Sequence, residues 1–473
     1  RRVGSELCIR DRISSESDGT RTRDLAGIVA LADQTVNVSG NVYRLAEASA
    51  ASPNPVALAN VHVGDTSQQA LTIGNTATAD AFSENLNASI GGNTGDATSS
   101  GAISGLAAGG SDNSSLVVGI DTSTAGAKSG SATISLESDG DGINSLGQTA
   151  LASQTVNVSG NVYRLAEATI NNAANFAFGA VQVGDSVSRA LSISNTATND
   201  AFSEALNASF GSADDARITN NAGNIGLLAA GGTDAANMVI GIDTSVAGMV
   251  TGTQTILFES DGTGTSGLGI TGLDSQGVPV SATISAAVFR LANPVIENTQ
   301  PVAFGNVREG DVIASQAISI LNDVPADGFS EALDAQAAGN TGGVTNNGGT
   351  FALLGPSERD DTSITVSIDT SSAGDKSGAA TIDFQSNGEG SSGLGITQLA
   401  SQDVQVTGQV FRLAEAGAAA PNPVDFGDSH VGDTATQALS LTNTAATDGF
   451  SESLNASIGS ATGDANTNGG SFN

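Results

Sequence analysis

The sequence is poor in the side chains that most often cross-link a fold or carry catalysis. Its 473 residues include one cysteine, Cys8, two histidines and no tryptophan. A single cysteine excludes an intrachain disulfide, so nothing staples the fold covalently. Aromatic residues make up only 4% of the chain. Each core therefore has to be built from Val, Ile, Leu, Ala and the few Phe residues.

Basic residues are also scarce, since 16 Lys and Arg stand against 49 Asp and Glu, a formal net charge of −33. A surface this acidic repels nucleic acid and anionic lipid and keeps a long chain soluble. The longest apolar run, Leu25 to Ala32, is far shorter than the ~20 residues that span a bilayer. We therefore expect no nucleic-acid partner and no direct membrane insertion of this segment.

One stretch, QTVNVSGNVYRLAEA at Gln154 to Ala168, recurs along the chain. Copies begin at Gln34, at Gln402 and, in a looser form, at Gln276. The aromatic residue that ends the four copies is, in order, Tyr43, Tyr163, Phe289 and Phe411. The spacing of roughly 120 residues is the length of a domain, whereas a solenoid rung has about 20 to 50. The chain is therefore predicted to be a string of like domains.

The repeat divides the chain into three complete units and two partial ones. The predicted complete units are 47–167, 168–292 and 293–415. We expect 13–46 to be the C-terminal hairpin of a truncated unit and 416–473 to be the N-terminal part of another. Residues 1–12 match no part of the repeat, and LCIRDR resembles a translated sequencing adapter, so we interpret them as a non-native scar. The chain is thus expected to be a fragment.

The recurring stretch is predicted to be a strand whose apolar side chains change from one face to the other. Val156, Val158 and Val162 alternate with polar residues, which is the period of a strand with one buried face. Tyr163 and Leu165 have the opposite parity, so they are not expected to share a core with the valines. The simplest interpretation is that the strand leaves one sandwich and leads into the next at this point.

Within a unit the pattern is a series of short strands separated by turn residues, with no helical period. Leu71 and Ile73 alternate with polar residues in one strand, and Ile134 and Leu136 do so in another. Gly91 to Gly110 is rich in Gly and Ser and is predicted to be a long loop. Six or seven strands per unit favour an all-β fold of tandem immunoglobulin-like antiparallel β-sandwiches, arranged as beads on a string.

Five motifs make the likeness more specific, and they recur in the later units. They are VHVGD (Val61 to Asp65), LTIGNT (Leu71 to Thr76), LAAGG (Leu106 to Gly110), IDTSTAGAKSG (Ile120 to Gly130) and SATISL (Ser131 to Leu136). This series resembles the choice-of-anchor D domain, a bacterial immunoglobulin-like module related to those of the abnormal-spindle and hydin proteins. The resemblance implies an exported surface or matrix protein with a separate C-terminal anchor.

No catalytic set emerges from the sequence. His62 and His430 occupy the same place in two units, where the others hold Gln182 and Arg308, so we interpret that place as a surface position and not a general base. Gly126 to Gly130, GAKSG, superficially resembles a phosphate loop, but it lacks the second Gly at the required spacing and precedes a strand. We interpret it as a hairpin turn, and we expect no catalytic residue and no organic cofactor.

Recurring acidic residues raise the alternative of calcium, which binds several carboxylate and carbonyl oxygens. The candidates are Asp139 and Asp141 in the sequence SDGDG, together with Asp80, Glu84 and Asp121. Other units replace Asp141 by Thr263 and Glu389, which removes or alters ligands. The competing interpretation is that these carboxylates accept hydrogen bonds from local turn amides.

The arginines of the recurring stretch are Arg44, Arg164, Arg290 and Arg412. In a chain with so few bases, an Arg after every terminal aromatic residue predicts a shared structural role. Glu84 shares the parity of the apolar core, so its carboxylate would need a cationic or amide partner. We predict that each Arg pairs with the recurring Asp or Glu and that these arginines and aromatics form the junction between units.

The favoured function is a non-enzymatic structural or adhesive one. The chain would be part of a large exported bacterial repeat protein, serving at the cell surface or outside the cell as spacer, stalk or matrix component. Its partner would be an unidentified surface, glycan or protein ligand, bound by long loops such as Gly91 to Gly110 and Gly211 to Gly232. Alternatives are the accessory region of a secreted enzyme, a calcium-rigidified binding module and an intracellular scaffold.

Overall fold

A computed structural model describes residues 9–18, 28–172, 176–273 and 281–472. Arg1 to Cys8, the larger part of the expected scar, lie outside these ranges, as does Gln276 at the start of the looser repeat. The described residues form β-strands and no helix. The fold is all-β, a tandem series of immunoglobulin-like antiparallel sandwiches, as the sequence predicted.

Forty strands are described, and their bounds follow in chain order. The first four are β1 (Ile9–Ile13), β2 (Glu16–Asp18), β3 (Ile28–Ala30) and β4 (Gln34–Val38). Next come β5 (Val56–Ala57), β6 (Val61–His62), β7 (Gln68–Gly74), β8 (Asn85–Gly95), β9 (Ala97–Ser100), β10 (Ala102–Leu106), β11 (Ser111–Ile120), β12 (Gly126–Asp139) and β13 (Gln148–Tyr163). Then follow β14 (Ala168–Ile170), β15 (Phe176–Gln182), β16 (Ser188–Ala190), β17 (Ile193–Asn195), β18 (Ala205–Ala213), β19 (Ile218–Asn220), β20 (Asn224–Leu228), β21 (Thr233–Asp234), β22 (Val239–Ile242), β23 (Gly248–Asp261), β24 (Ile270–Gly272) and β25 (Ser281–Phe289).

The remaining strands lie C-terminal to these. They are β26 (Pro294–Ile296), β27 (Val302–Arg308), β28 (Gln316–Ala317), β29 (Ile320–Asn322), β30 (Ala332–Asn340), β31 (Val344–Asn346), β32 (Thr350–Leu354), β33 (Arg359–Asp360), β34 (Thr365–Ile368), β35 (Gly374–Asp375), β36 (Gly378–Asn387), β37 (Ile396–Gln398), β38 (Gln402–Phe411), β39 (Ala456–Ser457) and β40 (Ser471–Phe472).

Three sandwiches, here called units 1, 2 and 3, surround three separate hydrophobic cores in the described residues. The core of unit 1 extends from Ala46 to Val162, that of unit 2 from Ala166 to Val288 and that of unit 3 from Ala292 to Val410. Separate cores mean that each unit buries its apolar surface without its neighbours, as expected of independent domains.

In unit 1 a large sheet has the strand order β10-β8-β12-β13-β5, with β6 also paired to β13, and a smaller sheet has the order β7-β11-β9. The large sheets of units 2 and 3 repeat this order as β20-β18-β23-β25-β15 and β32-β30-β36-β38-β27. Most pairs are antiparallel, but the last strand of each unit runs parallel to an early strand, as β13 does with β5 and β6. This parallel pairing determines which side chain lies beside the last residue of each unit's last strand.

The change of face inside the recurring stretch is present in the structure. Val156, Val158 and Val162 are buried in the core of unit 1. Tyr163 is also buried, with 8% of its surface exposed, but it contacts Phe202 of unit 2. One strand therefore gives successive residues to two units, as its parity predicted.

Three stretches predicted to be loops or turns contain strands instead. Gly91 to Gly110 was predicted to be a long loop, but it contributes to β8, β9 and β10, and Gly211 to Gly232 likewise contains strands. Gly126 to Gly130 begins β12 and is not a turn. The hydrogen bonds of a β-ladder join backbone N–H and C=O groups, so stretches rich in Gly and Ser can also pair as strands, and composition alone misjudged them.

Candidate functional site

The chain passes from one unit to the next through a segment that we call the junction segment, Tyr163 to Ala168 between units 1 and 2. Arg164 N donates to the Phe202 carbonyl at 2.8 Å, and Glu204 N donates to the Arg164 carbonyl at 3.1 Å. The same short parallel bridge recurs at Arg44, Arg290 and Arg412. The backbone of the segment is thereby fixed to the unit that follows it.

The arginine side chains of the junction segments pair with aspartates. Arg164 Nη1 donates to Asp200 Oδ2 at 2.6 Å and to Ser203 Oγ at 2.8 Å. The equivalent ion pairs are Arg44 with Asp80 at 2.6 Å, Arg290 with Asp327 at 2.8 Å and Arg412 with Asp448 at 2.7 Å. Each aspartate belongs to the unit that follows, so the pair binds the segment to that unit. That this pairing sets how units are joined stays a prediction.

These contacts favour the ionised aspartates. The Arg164 hydrogen bond, and after it the Phe202 backbone N–H, lowers the pKa of Asp200 below its ordinary value. Arginine is likewise the main cause of the lowered pKa of Asp327 and Asp448. For Asp80 the backbone N–H of Phe82 contributes most to the lowered pKa, followed by Arg44.

Aromatic rings meet across each junction. Tyr163, which ends the last strand of unit 1, packs against Phe202 of unit 2 with the ring centroids 5.5 Å apart and the planes tilted by 47°. The equivalent pairs are Tyr43 with Phe82, Phe289 with Phe329, and Phe411 with Phe450, all at 5.6 to 5.8 Å. Tilted pairs at this distance contribute about 0.5–1.5 kcal/mol beyond burial of their area.

A buried glutamate lies beside the junction segments that lead into units 1, 2 and 3. Glu84 is 2% exposed, and Glu204 and Glu331 are fully buried. In unit 2, Ser260 Oγ donates to Glu204 Oε2 at 2.7 Å, and the Ser266 hydroxyl donates to Oε1. Unit 3 repeats this with Ser386 and Ser392, and unit 1 uses Ser138 together with the amide of Asn144. The partners within the same unit are hydroxyls and an amide, and the junction-segment arginine predicted as a partner does not fill this role.

The serine that holds the glutamate also holds the junction segment. Ser260 Oγ accepts a hydrogen bond from Ala166 N at 2.8 Å, and Ser386 Oγ accepts one from Ala292 N at the same distance. Because each hydroxyl oxygen receives a backbone N–H, its proton points at the glutamate. The carboxylate, the serine and the connecting backbone therefore form one continuous hydrogen-bonded chain.

A glycine makes room for the carboxylate. A Cβ placed on Gly262 would lie 2.4 Å from Glu204 Oε1 and 2.1 Å from Ser266 Oγ. In unit 3 a Cβ on Gly388 would lie 3.0 Å from Glu331 Oε1. The recurring Ser-Asp/Asn-Gly turn is thus a cradle that donates hydrogen bonds to a carboxylate.

The preceding unit also reaches this site. Between units 1 and 2, His62 Nε2 lies 2.9 Å from Glu204 Oε1, and Asn60 Nδ2 donates to the Ser266 carbonyl at 2.6 Å. At the second junction Gln182 Nε2 donates to Thr397 Oγ1 at 3.1 Å. These contacts span two units and add to those of the junction segment.

At the third junction, between unit 3 and the region that follows it, the contact is an ion pair. Arg308 Nε donates to Glu452 Oε1 at 2.7 Å, and its Nη2 lies 3.4 Å from Oε2. This hydrogen bond raises the pKa of Arg308 above its ordinary value. Glu452 is the counterpart of Glu204 in the region after unit 3, so an equivalent donor and acceptor meet at both places.

Strand pairing explains why one position reaches the next unit each time. His62 is paired with Tyr163, Gln182 with Phe289 and Arg308 with Phe411, each in the parallel register beside the last strand of its unit. The early strand of each pair ends beside the point where the last strand passes into the next unit. The final side chain of the early strand is therefore presented to that unit.

The interpretation of this position as plain surface was wrong for His62, whose side chain is 19% exposed and lies at the junction. His430, by contrast, has a fully exposed side chain. A usable signal was present in the sequence, because His, Gln and Arg share the ability to donate an N–H hydrogen bond. The change of residue type among the units therefore does not mean that the position has no role, because each of these residues can donate.

The calcium candidates accept hydrogen bonds from protein groups. Asp139 accepts from Asn87 Nδ2 at 2.7 Å and from Asp141 N at 3.0 Å, and Asp121 accepts from Ser123 N at 2.9 Å. Across residues 9–18, 28–172, 176–273 and 281–472, no three His, Cys, Asp or Glu residues form a group that could hold a metal ion. The calcium hypothesis stays a prediction to be tested.

No helix in the described part of the chain has the length and apolar character needed to cross a membrane. This finding concerns helices alone.

The solved structures that match this chain do so at low sequence identity and low TM-score. No protein-family model matches the chain, and no curated protein matches it in sequence. A protein of unknown function from Porphyromonas gingivalis is 11% identical over 51% of this chain and 99% of its own, with a TM-score of 0.19. The human desmocollin-1 ectodomain is 7% identical over 80% of this chain and 64% of its own, with a TM-score of 0.30. Mouse protocadherin-24 is 12% identical over 76% and 97%, with a TM-score of 0.32. At these values the likenesses carry no argument about function.

Proposed function

We propose that this chain is a non-enzymatic structural array whose junctions hold successive sandwiches in defined relative orientations. It would act as a spacer, stalk or matrix component that carries an adhesive or anchoring function outside the cell. The observation that carries the proposal is the junction between units 1 and 2. There Tyr163, Arg164 and His62 all make side-chain contacts with unit 2.

These contacts are made by three separate side chains on two strands and the connection, which is why they support a fixed orientation. The Tyr163 ring packs at the end of the last strand, the Arg164 guanidinium lies on the connection, and His62 belongs to a neighbouring strand. A single contact allows rotation about itself, whereas three contacts that do not lie on one line oppose it. Domains without such contacts are expected to move relative to one another.

The acidic composition is in keeping with an extended array. With a formal charge of −33, like charges on successive units repel and favour separation over collapse onto one another. The sequence resemblance to the choice-of-anchor D module supports the narrower proposal of an exported bacterial surface protein. An accessory role in a secreted enzyme remains the alternative, and the complete open reading frame distinguishes it by the presence of a catalytic domain.

Small-angle X-ray scattering on the whole chain tests the proposal. Wild type is expected to show an elongated particle with a defined maximum dimension. Arg164→Ala should broaden the distance distribution, because the junction segment loses its hold on Asp200. Arg217→Ala is the matched control, since Arg217 pairs with Asp215 within unit 2 at 3.0 Å. A wild-type profile typical of freely jointed domains would contradict the proposal.

A further inference from the structure

The structure places a different side chain opposite the next unit at each junction. The occupants are His62, Gln182 and Arg308. We infer that this position determines how each junction responds to protons, and that the His62 junction is tightened by acid while the other two are not. The inference rests on the proposed function, because it assigns a regulation to the same junctions.

The hydrogen bonds around Glu204 identify it as an acceptor. Ser260 Oγ receives Ala166 N, and Ser266 Oγ receives Leu268 N at 3.2 Å, so both hydroxyls direct their protons to the carboxylate. With Glu204 as a carboxylate, His62 Nε2, 2.9 Å away, supplies an N–H as well. A neutral imidazole can do this with its proton on Nε2, and the imidazolium does it with a full positive charge.

Protonation therefore strengthens an existing contact. A charge-assisted hydrogen bond is about twice as strong as a neutral one, and Glu204 is fully buried, where a charge pair is less screened than at the surface. Histidine is the side chain whose unperturbed charge change falls between about pH 5 and 8. The contact is accordingly stronger when the imidazole is protonated.

The two charged side chains that contact His62 are both carboxylates. In its own unit, Asp65 Oδ2 lies 4.0 Å from Nδ1, and in unit 2 the facing carboxylate is Glu204. The turn that cradles Glu204, residues 262–268, contains no titratable side chain. Asp261, just before it, accepts hydrogen bonds from Asn207 and Thr263. The cation of the junction segment, Arg164, is paired with Asp200.

At the other two junctions the position of His62 is held by Gln182 and Arg308. Gln182 is neutral at every pH and donates to a threonine hydroxyl. Arg308 keeps its charge throughout and pairs with Glu452. The same fold position thus yields a proton-responsive junction, a neutral one and a permanently charged one.

Single-molecule energy transfer on the full chain tests this inference. Dyes are attached to cysteines introduced at the exposed positions Ser135 in unit 1 and Thr251 in unit 2, in a Cys8→Ser background. Wild type is expected to give a narrow distance distribution near pH 5 and a broader one near pH 8. His62→Gln, which copies the natural residue of the second junction, should lose this pH dependence. Glu204→Gln should lose it too.

The outcomes separate the inference from the proposed function. A distribution that is narrow at both pH values, in wild type and in His62→Gln, overturns the proton response and leaves the spacer intact. A distribution that is broad at both values overturns both. Gln182→His supplies the converse test, because with dyes at Thr251 and Ser377 it should create a pH-dependent junction between units 2 and 3.

Discussion

Ser260 Oγ donates a hydrogen bond to Glu204 Oε2 across 2.7 Å and is fully buried. The same oxygen accepts Ala166 N from the junction segment. One hydroxyl therefore joins the central sheet of unit 2, a buried carboxylate and the backbone that arrives from unit 1. It couples the stability of the unit to the path of the connection.

Removing this hydroxyl should destabilise unit 2. In Ser260→Ala, Glu204 loses a donor and Ala166 N loses its acceptor, and an unsatisfied buried polar group costs about 1–3 kcal/mol. Hydrogen exchange over residues 248–261 measures the change within the unit. Ser209→Ala is the control, because Ser209 is exposed on the same sheet. Equal protection in the two variants would show that the hydroxyl is dispensable.

Gly262 should tolerate no side chain, although its backbone is not in the left-handed region. A methyl group there would lie 2.4 Å from Glu204 Oε1, and forced overpacking costs about 1–3 kcal/mol. Gly264 lies two residues away, and a methyl group there would have no atom within 4 Å. Thermal unfolding should therefore place Gly262→Ala well below wild type and Gly264→Ala close to it. Similar melting of the two variants would refute the cradle.

Much of the fold could be predicted from the sequence because apolar alternation reports which strand faces are buried. The parity shift at Val162 and Tyr163 located the passage between two units, and the repeated Arg indicated an ion pair. Strands with few apolar residues were harder to predict. Gly91 to Gly110 has too few apolar residues to show a period, yet its backbone pairs with neighbouring strands.

The buried glutamate site could be predicted only in part. The parity of Glu84 indicated a buried carboxylate, but its partners, Ser138 in β12 and Asn144 just after that strand, lie more than 50 residues away along the chain. Nothing in local sequence reports such a distance. The acidic residues of SDGDG resemble those of a calcium turn, whereas the groups that donate to Glu84 are the serine of this sequence and the asparagine that follows it. The role of His62 required the tertiary register that aligns it with Tyr163.

Arg164 should hold Asp200 ionised at acidic pH. The pKa of Asp200 is lowered by Arg164, so the pair contributes its full stability above the ordinary aspartate pKa of about 3.9, and the contribution falls as the pH drops towards the lowered folded-state value. Carboxyl NMR with labelled aspartate should show the Asp200 pKa rising in Arg164→Ala. The Asp215 pKa, lowered by Arg217, should stay unchanged in that variant. A constant Asp200 pKa would exclude the pairing in solution.

Calcium addition and chelation should leave the melting temperature unchanged. The candidate carboxylates Asp80 and Asp139 already accept hydrogen bonds from Arg44 and Asn87, and calcium needs about 6–8 oxygen ligands at one point. Differential scanning calorimetry with excess calcium or with chelator measures this, and magnesium controls for ionic strength. A calcium-specific rise would support the rigidified binding module instead.

Units with separate cores should lose stability one at a time. Phe384 is fully buried in the core of unit 3, and Phe→Ala substitutions at such sites cost about 3–5 kcal/mol, a large part of the roughly 5–15 kcal/mol that stabilises a domain. Phe384→Ala should therefore remove hydrogen-exchange protection from unit 3 and leave the core strands of unit 1 protected. Phe426→Ala is the control, since Phe426 is 53% exposed and its truncation should change little. Loss of protection in all three units would show that the array unfolds as one cooperative body, because only interfaces stronger than the junction contacts described above could transmit a core defect that far.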